Sequence, residues 1–294
     1  MAKTNRYEIV RTVRAKKPAE IARALAARKK RPFLRGDNRL LIIAADHPAR
    51  GAIAAGKDEN AMANRYELLD RMVLALSRPG VDGVLGTPDI IEDLALLGVL
   101  DNKIAIGSMN RGGLRDSVFE MDDRYTAYDI SAIKKARLDA AKNLIRINLK
   151  DSASVATLEA SAHAINDAAA AKVPIILEPF MSEWVNGKIK NNLSTDAVIL
   201  SVAIAQGLGN SSAYSWLKVP VVPHMERVMS ATTLPTLLLG GDTAENQMQA
   251  FKSWENALGL PGVHGLVIGR SLLYPADNDV VKAVDTAAKL VHGK

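Results

Sequence analysis

The sequence predicts a single α/β domain, a (β/α)8 TIM barrel preceded by a helical extension. From residue 40 onward, eight short apolar runs alternate with longer segments of helical character. This alternation is typical of repeated βα units around a parallel sheet. No Gly/Ser-rich linker and no low-complexity tract divides the 294 residues. A doubly wound open sheet is the alternative architecture for the same pattern.

The predicted elements follow one another closely along the chain. The apolar runs that we interpret as strands are residues 40–46, 80–86, 103–109, 142–148, 173–179, 213–219, 235–241 and 264–270. Segments 58–77, 152–172 and 243–259 lie between strands and have the composition of helices. We therefore expect an N-terminal helical extension over residues 1–39 and a catalytic barrel over residues 40–294.

Positive charge is concentrated in this extension. The chain has a formal net charge of +6 and a pI near 9.4, and residues 11–35 contain much of the excess. A basic stretch can bind nucleic acid, but this one has almost no aromatic residues to stack on bases, and no recognition motif surrounds it. Its Ala, Ile and Leu positions favour a helix with a solvated basic face. We expect no nucleic-acid partner.

The composition also limits the compartment and the chemistry. The absence of cysteine excludes disulfides, thiolate metal sites and a cysteine nucleophile. No apolar run reaches transmembrane length, and the N-terminus lacks the apolar core of a secretory signal. We expect a cytoplasmic protein that has no membrane partner and forms a homo-oligomer. The basic extension could then pack on its own barrel or on another subunit.

Polar residues stand at the ends of nearly all the predicted strands. In a barrel, the carboxyl ends of the strands meet at one mouth, where the chemistry takes place. Several polar groups that converge there indicate a site. The residues at these positions are Asp46, His47, Ser108, Asn110, Arg146, Asn148, Glu178, Lys218, Gly240, Gly241, Gly269 and Arg270.

A lysine in the middle of an apolar strand gives the first indication of function. In AYSWLKVPVV, the side chains of Trp216 and Lys218 share one face by strand alternation. A buried ammonium is costly unless it has a partner. Lys218 could therefore pair with a buried carboxylate or point outward between helices. A functional alternative is that the amine, kept partly neutral, attacks a carbonyl and forms a Schiff base.

Two neighbouring strands favour the functional interpretation of Lys218. Lys142 and Arg146 share a face in AAKNLIRIN, and Glu178 ends the next strand. If these faces point inward, a second cation in the lumen would favour the neutral amine of Lys218. Glu178 could then transfer protons during carbinolamine formation and carbon–carbon cleavage.

The last two strands end in glycines that suggest a phosphate site. LLLGGD and LVIGRS occupy the positions where many barrels bind phosphate through backbone N–H groups. Glycine permits close approach of the backbone, and Arg270 can add a charge-assisted contact to a phosphate oxygen. We therefore expect a phosphorylated small-molecule substrate.

These motifs, taken in order, resemble a known family. AADHPARG, AAKNLIRIN, LEPF, WLKVP, LLLGGD and GLVIGRSLLYP resemble class I (Schiff-base) aldolases of the DeoC/LacD-type (β/α)8 barrel superfamily, over roughly residues 38 to 292. The resemblance extends to tagatose-bisphosphate and sulfofructose-phosphate aldolases and to an actinobacterial deoxyribose-phosphate-aldolase-like branch.

The resemblance implies roles for the strand-end residues. It implies that Lys218 forms the Schiff base, that Glu178 shuttles protons and that Lys142 and Asp46 lie beside the substrate. It also implies that phosphate binds at the last two strand ends. The residues implied there are Gly241, Gly269 and Arg270, to which we add the adjacent Gly240.

The sequence departs from this family at several site positions. Pro48 follows His47 and removes an amide donor, and Arg146 and Asn148 stand where relatives often have aromatic residues. We expect His47, Asn110, Arg146 and Asn148 to contact the substrate, which could be acidic or highly hydroxylated. The five histidines are scattered, with no H-x-H or H-E-x-x-H spacing, and no nucleotide-binding motif occurs. We therefore expect no metal and no cofactor.

Two classes of function follow from these observations. The first is a metal-independent class I aldolase that cleaves a phosphorylated keto sugar or sugar acid. The resemblance suggests 2-deoxy-5-keto-gluconate 6-phosphate, an intermediate of inositol catabolism, which would give dihydroxyacetone phosphate and malonate semialdehyde. Deoxyribose 5-phosphate and a hexulose phosphate or bisphosphate are alternative substrates. The second class is a barrel that binds a phosphosugar without cleaving it.

Overall fold

Eight parallel strands close into a barrel in the computed structural model, which describes residues 3–110, 113–241 and 247–293. The barrel strands are β1 (Leu40–Ala44), β2 (Gly83–Gly86), β3 (Ile104–Ser108), β4 (Ala140–Ile147), β5 (Ile175–Val185), β7 (Ser215–Pro220), β8 (Thr236–Leu239) and β9 (Val263–Ile268), and β6 (Lys188–Asn191) lies outside the ring. Parallel pairing of β4 with β5 and of β1 with β9 completes the ring. The predicted (β/α)8 fold is confirmed, and the open-sheet alternative is wrong.

Helices surround this barrel. They are α1 (Lys3–Lys16), α2 (Ala19–Ala27), α3 (Arg65–Ser77), α4 (Pro88–Leu96), α5 (Ile130–Lys135), α6 (Ala153–Ala171), α7 (Thr195–Gln206), α8 (Met225–Met229), α9 (Gln247–Leu258), α10 (Arg270–Leu273) and α11 (Val280–His292), with a 3-10 helix at His47–Arg50. Within the described ranges, no helix has both the length and the apolar character that crossing a bilayer requires.

The helix ends show how local chemistry sets the boundaries. The predicted segment 58–77 becomes helical only at Arg65, because Asn64 accepts hydrogen bonds from the backbone N–H groups of Tyr66 and Glu67. Segment 152–172 agrees with α6 to within one residue at each end. In segment 243–259 the described helix is α9, and residues 243–246 lie outside the described part of the chain.

Strand alternation divides the apolar core into two layers. Alternate strand residues, including Leu40, Ile42, Ile176 and Trp216, form a cluster that fills the barrel interior. The residues between them, such as Leu41, pack outward against the helices in a larger cluster. Full burial of one such aliphatic side chain stabilises the fold by roughly 1.5–3 kcal/mol. The alternation therefore fixes which side chains reach the lumen.

The chain before β1 covers the amino end of the barrel. Phe33 and Leu34 pack against the interior cluster, and the rings of Phe33 and Trp216 lie 5.4 Å apart. Arg28 pairs with Asp139 at 2.8 Å, and Arg31 pairs with Asp82. Both arginines are buried, so the expected solvated basic face is wrong for them. The pairs are possible because the barrel supplies carboxylates at this end. The division of the chain at residue 39 stays a prediction.

A β-hairpin that we did not predict extends β5 beyond the barrel. The strand turns at Asn186 and Gly187, both with positive φ, and returns as the antiparallel β6. An Asn-Gly pair is favoured in two-residue hairpin turns because both positions need positive φ. The hairpin brings Lys190 and Asn191 to the carboxyl mouth of the barrel.

Candidate active site

Four charged side chains meet inside the barrel, as the strand faces predicted. Lys142 on β4, Glu178 on β5 and Lys218 on β7 occupy the same alternating positions as the interior apolar residues, and Asp46 follows β1. All four are buried. Strand alternation points them into the lumen, above the apolar layer that contains Trp216.

Glu178 is the centre of this charged cluster. One carboxylate oxygen lies 2.7 Å from Lys218 Nζ, and the other contacts Lys142 Nζ. Lys142 Nζ also lies 3.3 Å from Asp46 Oδ2, which accepts a hydrogen bond of 3.0 Å from Ser108 Oγ. Two cations and two carboxylates therefore compensate one another, as buried charges must.

The cluster determines the protonation of Glu178. Burial alone would raise the pKa of this carboxyl group, but the positive charges of Lys142 and Lys218 outweigh burial and lower the pKa to about 2. Glu178 is therefore a carboxylate at neutral pH. In this form it can accept a proton from a neighbouring ammonium or hydroxyl group.

A cavity of about 580 Å³ opens above the cluster. Its volume falls in the range of small-molecule sites, roughly 300–1,000 Å³. The predicted site residues that line it are Asp46, His47, Arg146, Glu178, Lys218, Gly240, Gly241, Gly269 and Arg270. Lys142 lies beneath this lining, in contact with Glu178. A larger cavity between α3 and α10 is lined by none of the predicted site residues.

Gly240 and Gly269, at the ends of β8 and β9, are required by close approach of neighbouring atoms, and Gly241 is favoured by its backbone conformation. A side chain at Gly240 would come within 2.7 Å of Ile268 Cγ2, and one at Gly269 would collide with the carbonyl oxygen of Ala44. Gly241 has a φ of +70°, which disfavours other residues. Arg270 follows Gly269 and lines the same side of the cavity. Its Nη1 lies 3.4 Å from the carbonyl oxygen of Ala54.

Two predicted substrate contacts lie outside the cavity lining. The side-chain amide of Asn110 is buried and exchanges hydrogen bonds of 2.6 and 2.7 Å with the backbone of Leu144. The side chain of Asn148 accepts a hydrogen bond of 2.9 Å from the backbone N–H of Lys150, which closes a turn. Both amides therefore hold the chain around the end of β4.

Arg146 reaches the cavity but is already held by carboxylates. Its guanidinium donates to both oxygens of Asp123, at 2.8 Å each, and to Glu120 Oε1 at 3.1 Å. Glu120 and Asp123 belong to the segment between β3 and α5. Arg146 therefore anchors that segment to the barrel. His47 lines the cavity, and its Nδ1 lies 3.8 Å from Asp46 Oδ1.

Several cavity residues were missed by the sequence analysis. Arg50 ends the 3-10 helix, one turn after His47, and Lys190 and Asn191 come from β6. The hairpin could have been found from Asn186-Gly187, which lies between two short alternating runs. No local signal in the sequence would have shown that Arg50 turns toward the lumen.

In the described ranges, no group of three or more His, Asp or Glu side chains has an arrangement that could hold a metal ion. The prediction of a metal-independent reaction stays a prediction.

The fold and the site together define a class of protein: a (β/α)8 barrel with a Lys–Glu–Lys–Asp cluster in its lumen. The chain belongs to the Cgl0159-like family, whose model matches residues 38–288. The crystal structure of Cgl0159 from Corynebacterium glutamicum is 63% identical in sequence, with a TM-score of 0.96, and the match covers 98% of this chain and 97% of that one.

More distant structures share the fold. An archaeal fructose 1,6-bisphosphate aldolase is 19% identical with a TM-score of 0.67, over 93% of this chain and 100% of that one. A fructose-bisphosphate aldolase from Slackia heliotrinireducens is 14% identical with a TM-score of 0.62, over 87% and 86%. No curated protein sequence matches the chain significantly. Placement in the DeoC/LacD-type superfamily and its actinobacterial branch stays a prediction.

Proposed function

We propose that this protein is a class I aldolase that cleaves a phosphorylated keto sugar or sugar acid through a Schiff base on Lys218. The observation that carries the proposal is the buried pair of Lys218 and Glu178, 2.7 Å apart at the floor of the cavity. An amine beside a carboxylate that can take its proton is the arrangement that carbinolamine chemistry needs. The barrel fold shared with fructose-bisphosphate aldolases, one of them described as Schiff-base forming, supports this proposal.

In the first half-reaction, Glu178 accepts a proton from the Lys218 ammonium, and the neutral amine attacks the substrate carbonyl carbon. A carbon–nitrogen bond forms, and the carbonyl oxygen is protonated. This oxygen then leaves as water, so two of the three ammonium protons depart with it. The product is an iminium ion, which retains the single positive charge of Lys218 and therefore its attraction to Glu178.

In the second half-reaction, the carboxylate removes a proton from the hydroxyl group β to the iminium carbon. The carbon–carbon bond breaks, and its electron pair moves to the iminium nitrogen, which gives an enamine and an aldehyde. Protonation of the enamine carbon and addition of water then release the ketone and restore Lys218. Glu178 is the residue placed to carry these protons.

Lys142 and Asp46 have supporting roles in this scheme. The contact with Lys142 keeps Glu178 ionised between proton transfers. Asp46 Oδ1 lies on the side of His47, and Oδ2 is held by Ser108 and Lys142. Asp46 is thereby fixed in the cavity wall, where its carboxylate can accept a hydrogen bond from a substrate hydroxyl group.

The phosphate group of the substrate would lie at the ends of β8 and β9. Gly240, Gly241 and Gly269 line the cavity there and have no side chains, and Arg270 adds a positive charge. This is the part of a barrel where phosphate is frequently bound. Among phosphorylated substrates we propose 2-deoxy-5-keto-gluconate 6-phosphate, which would place the enzyme in inositol catabolism. Deoxyribose 5-phosphate and a hexulose phosphate or bisphosphate are the compounds to compare with it.

Borohydride trapping tests the proposal directly. The protein is incubated with each candidate substrate, reduced and analysed by intact and peptide mass spectrometry. We expect an adduct on Lys218 with at least one candidate and none in Lys218→Arg. Lys103→Arg is a matched control, because Lys103 lies outside the cavity lining and burial lowers its pKa. This control should retain the adduct. A folded wild-type protein that gives no Lys218 adduct with any candidate would indicate a phosphosugar-binding barrel without aldolase activity.

A further inference from the structure

We infer that Arg50 forms, with Arg146 behind it, a second anion-binding end of the cavity, so that the substrate has an anionic group at each end. This inference rests on the proposed function, in which Lys218 reacts between the two ends. The anionic group would be a carboxylate or a second phosphate, because a guanidinium binds both through paired N–H donors.

The two ends lie opposite each other in the ring of strands. In one direction around the ring, the strand order β4-β3-β2-β1-β9 places β9 four strands from β4. In the other direction, the order is β9-β8-β7-β5-β4, because β5 pairs with β4, and the separation is again four strands. Gly269 and Arg270 follow β9, whereas Arg146 is on β4. Lys218 and Glu178 are on β7 and β5, which lie between these ends on one side of the ring. A linear substrate that spans the cavity would therefore pass Lys218.

Arg50 belongs to the β4 end, although it follows β1 in the sequence. Its Nη1 lies 3.5 Å from Glu120 Oε1, the same oxygen that accepts a hydrogen bond from Arg146. The side chain of Arg50 therefore extends toward β4. It is 23% exposed, compared with 2% for Arg146, so Arg50 is the member of this group that a ligand can reach.

The charges at this end are arranged in two layers. Both guanidinium residues, Arg50 and Arg146, line the cavity, but neither of their partner carboxylates, Glu120 and Asp123, does so. The four charges cancel formally, yet a ligand in the cavity meets the cations at shorter distance. Coulomb energy falls with distance, so the nearer cations determine the sign of the interaction. This end of the cavity is therefore suited to an anion.

Removal of Arg50 should leave Glu120 with hydrogen-bond donors. Glu120 would keep its hydrogen bond from Arg146 and a second one, of 2.8 Å, from the backbone N–H of Asp116. Arg115 provides a matched control in the same region. Its backbone N–H donates to the carbonyl oxygen of Arg50, but its side chain is exposed, pairs with Asp116 at 3.7 Å and lies outside the cavity lining.

Calorimetric titration with unreactive ligands tests the inference without Schiff-base chemistry. The ligands are mannitol 1,6-bisphosphate, 6-phosphogluconate and sorbitol 6-phosphate, none of which has a ketone. In the wild type, at least one of the two doubly anionic ligands should bind more tightly than the monophosphate. The bisphosphate and the acid phosphate differ in their second anion, so their order of affinity shows whether phosphate or carboxylate fits the Arg50 end.

In Arg50→Ala, the Kd of the preferred doubly anionic ligand should rise about ten- to a hundredfold, as expected for a charge-assisted hydrogen bond. The Kd of sorbitol 6-phosphate should stay within about twofold, because the β8–β9 end is unchanged. Arg115→Ala should behave as wild type with all three ligands. Melting curves should show that both variants are folded.

Three results would overturn the inference. These are a monophosphate that binds the wild type as tightly as both doubly anionic ligands, an equal loss for all ligands in Arg50→Ala, or an equal loss in Arg50→Ala and Arg115→Ala. Failure of borohydride trapping would instead remove the aldolase proposal, and the calorimetry would be unaffected by it. The two proposals can therefore fail separately.

Discussion

Glu178 Oε1 lies 2.7 Å from Lys218 Nζ, at a position where the same carboxylate also contacts Lys142. One carboxyl group thus contacts two buried ammonium groups and is the base nearest to the amine that we expect to react. Structural and chemical functions coincide in Glu178. Experiments on this residue must therefore separate turnover from stability.

Replacement of Glu178 by Gln should lower turnover by about 10²- to 10⁴-fold, the usual contribution of a general acid–base group. The amide keeps the shape of the side chain but cannot accept a proton at neutral pH. Single-turnover kinetics and a melting curve measure both effects. Glu183→Gln is the control, because Glu183 is exposed on the same strand and lies outside the cavity lining. A native rate in Glu178→Gln would assign this residue a structural role only.

Replacement of Arg270 by Ala should act on phosphorylated substrates alone. Loss of a charge-assisted hydrogen bond, worth roughly 1.5–3 kcal/mol, lowers kcat/KM about ten- to a hundredfold. A substrate analogue without phosphate should be cleaved at the wild-type rate.

A scaffold role for Arg270 would give a different result, with equal losses on both substrates and a lower melting temperature. Asp277, one carboxylate that could serve such a role, pairs with Lys282 at 3.0 Å. The other, Asp242, lies outside the described residues.

Arg146→Met should destabilise the protein by about 3–5 kcal/mol, because it leaves the buried Asp123 without its guanidinium partner. Urea unfolding measures this change in the free energy of unfolding. Arg124→Met is the matched control. Arg124 pairs with Asp122 at 2.6 Å in the same segment but is 63% exposed, so its loss should change the free energy of unfolding far less than the loss of Arg146. Similar values for the two variants would contradict an anchoring role for Arg146.

His292 should make stability depend on pH at the amino end of the barrel. Its two ring nitrogens contact Asp82, at 3.2 Å, and Asp37, and these contacts raise its pKa from 6.5 to about 9. A group with a raised folded-state pKa binds its proton more tightly when folded. Its contribution to stability is therefore complete below pH 6.5 and is lost as the pH rises through about 9.

We expect His292→Asn to flatten this part of the stability profile. The free energies of unfolding of the variant and the wild type should differ more at pH 6 than at pH 9.5. Arg31 also pairs with Asp82 and remains in the variant, so the fold should persist. A difference that is the same at both pH values would show that protonation of His292 contributes nothing to stability.

The barrel and its inner cluster could be predicted because both depend on strand alternation. Once Trp216 is placed in the lumen, Lys218 must follow it, and the same argument applies to Lys142 and Glu178 on their strands. These positions are determined within a few residues of sequence.

Sequence reasoning found Arg146 and Asn148 as site candidates but did not find their hydrogen-bond partners. Arg146 was expected to contact the substrate; it lines the cavity, and Glu120 and Asp123 also contact it from the segment after β3. Asn148 forms its hydrogen bond with a neighbouring backbone group. Alternation along a strand shows which way a side chain points. It contains no information about which residues of other segments will contact that side chain.

Phe33 and Leu34 fill the amino end of the barrel, so reactants would enter and leave through the carboxyl mouth. In the proposed cleavage, both products leave through this mouth, and the covalent bond to Lys218 determines which of them leaves first. The aldehyde fragment, which is not attached to the enzyme, diffuses out first, while the other fragment stays tethered to Lys218 until water reaches the enamine-derived iminium. A steady-state analysis should accordingly find an ordered uni–bi mechanism, in which the ketone product competes with substrate and the aldehyde does not.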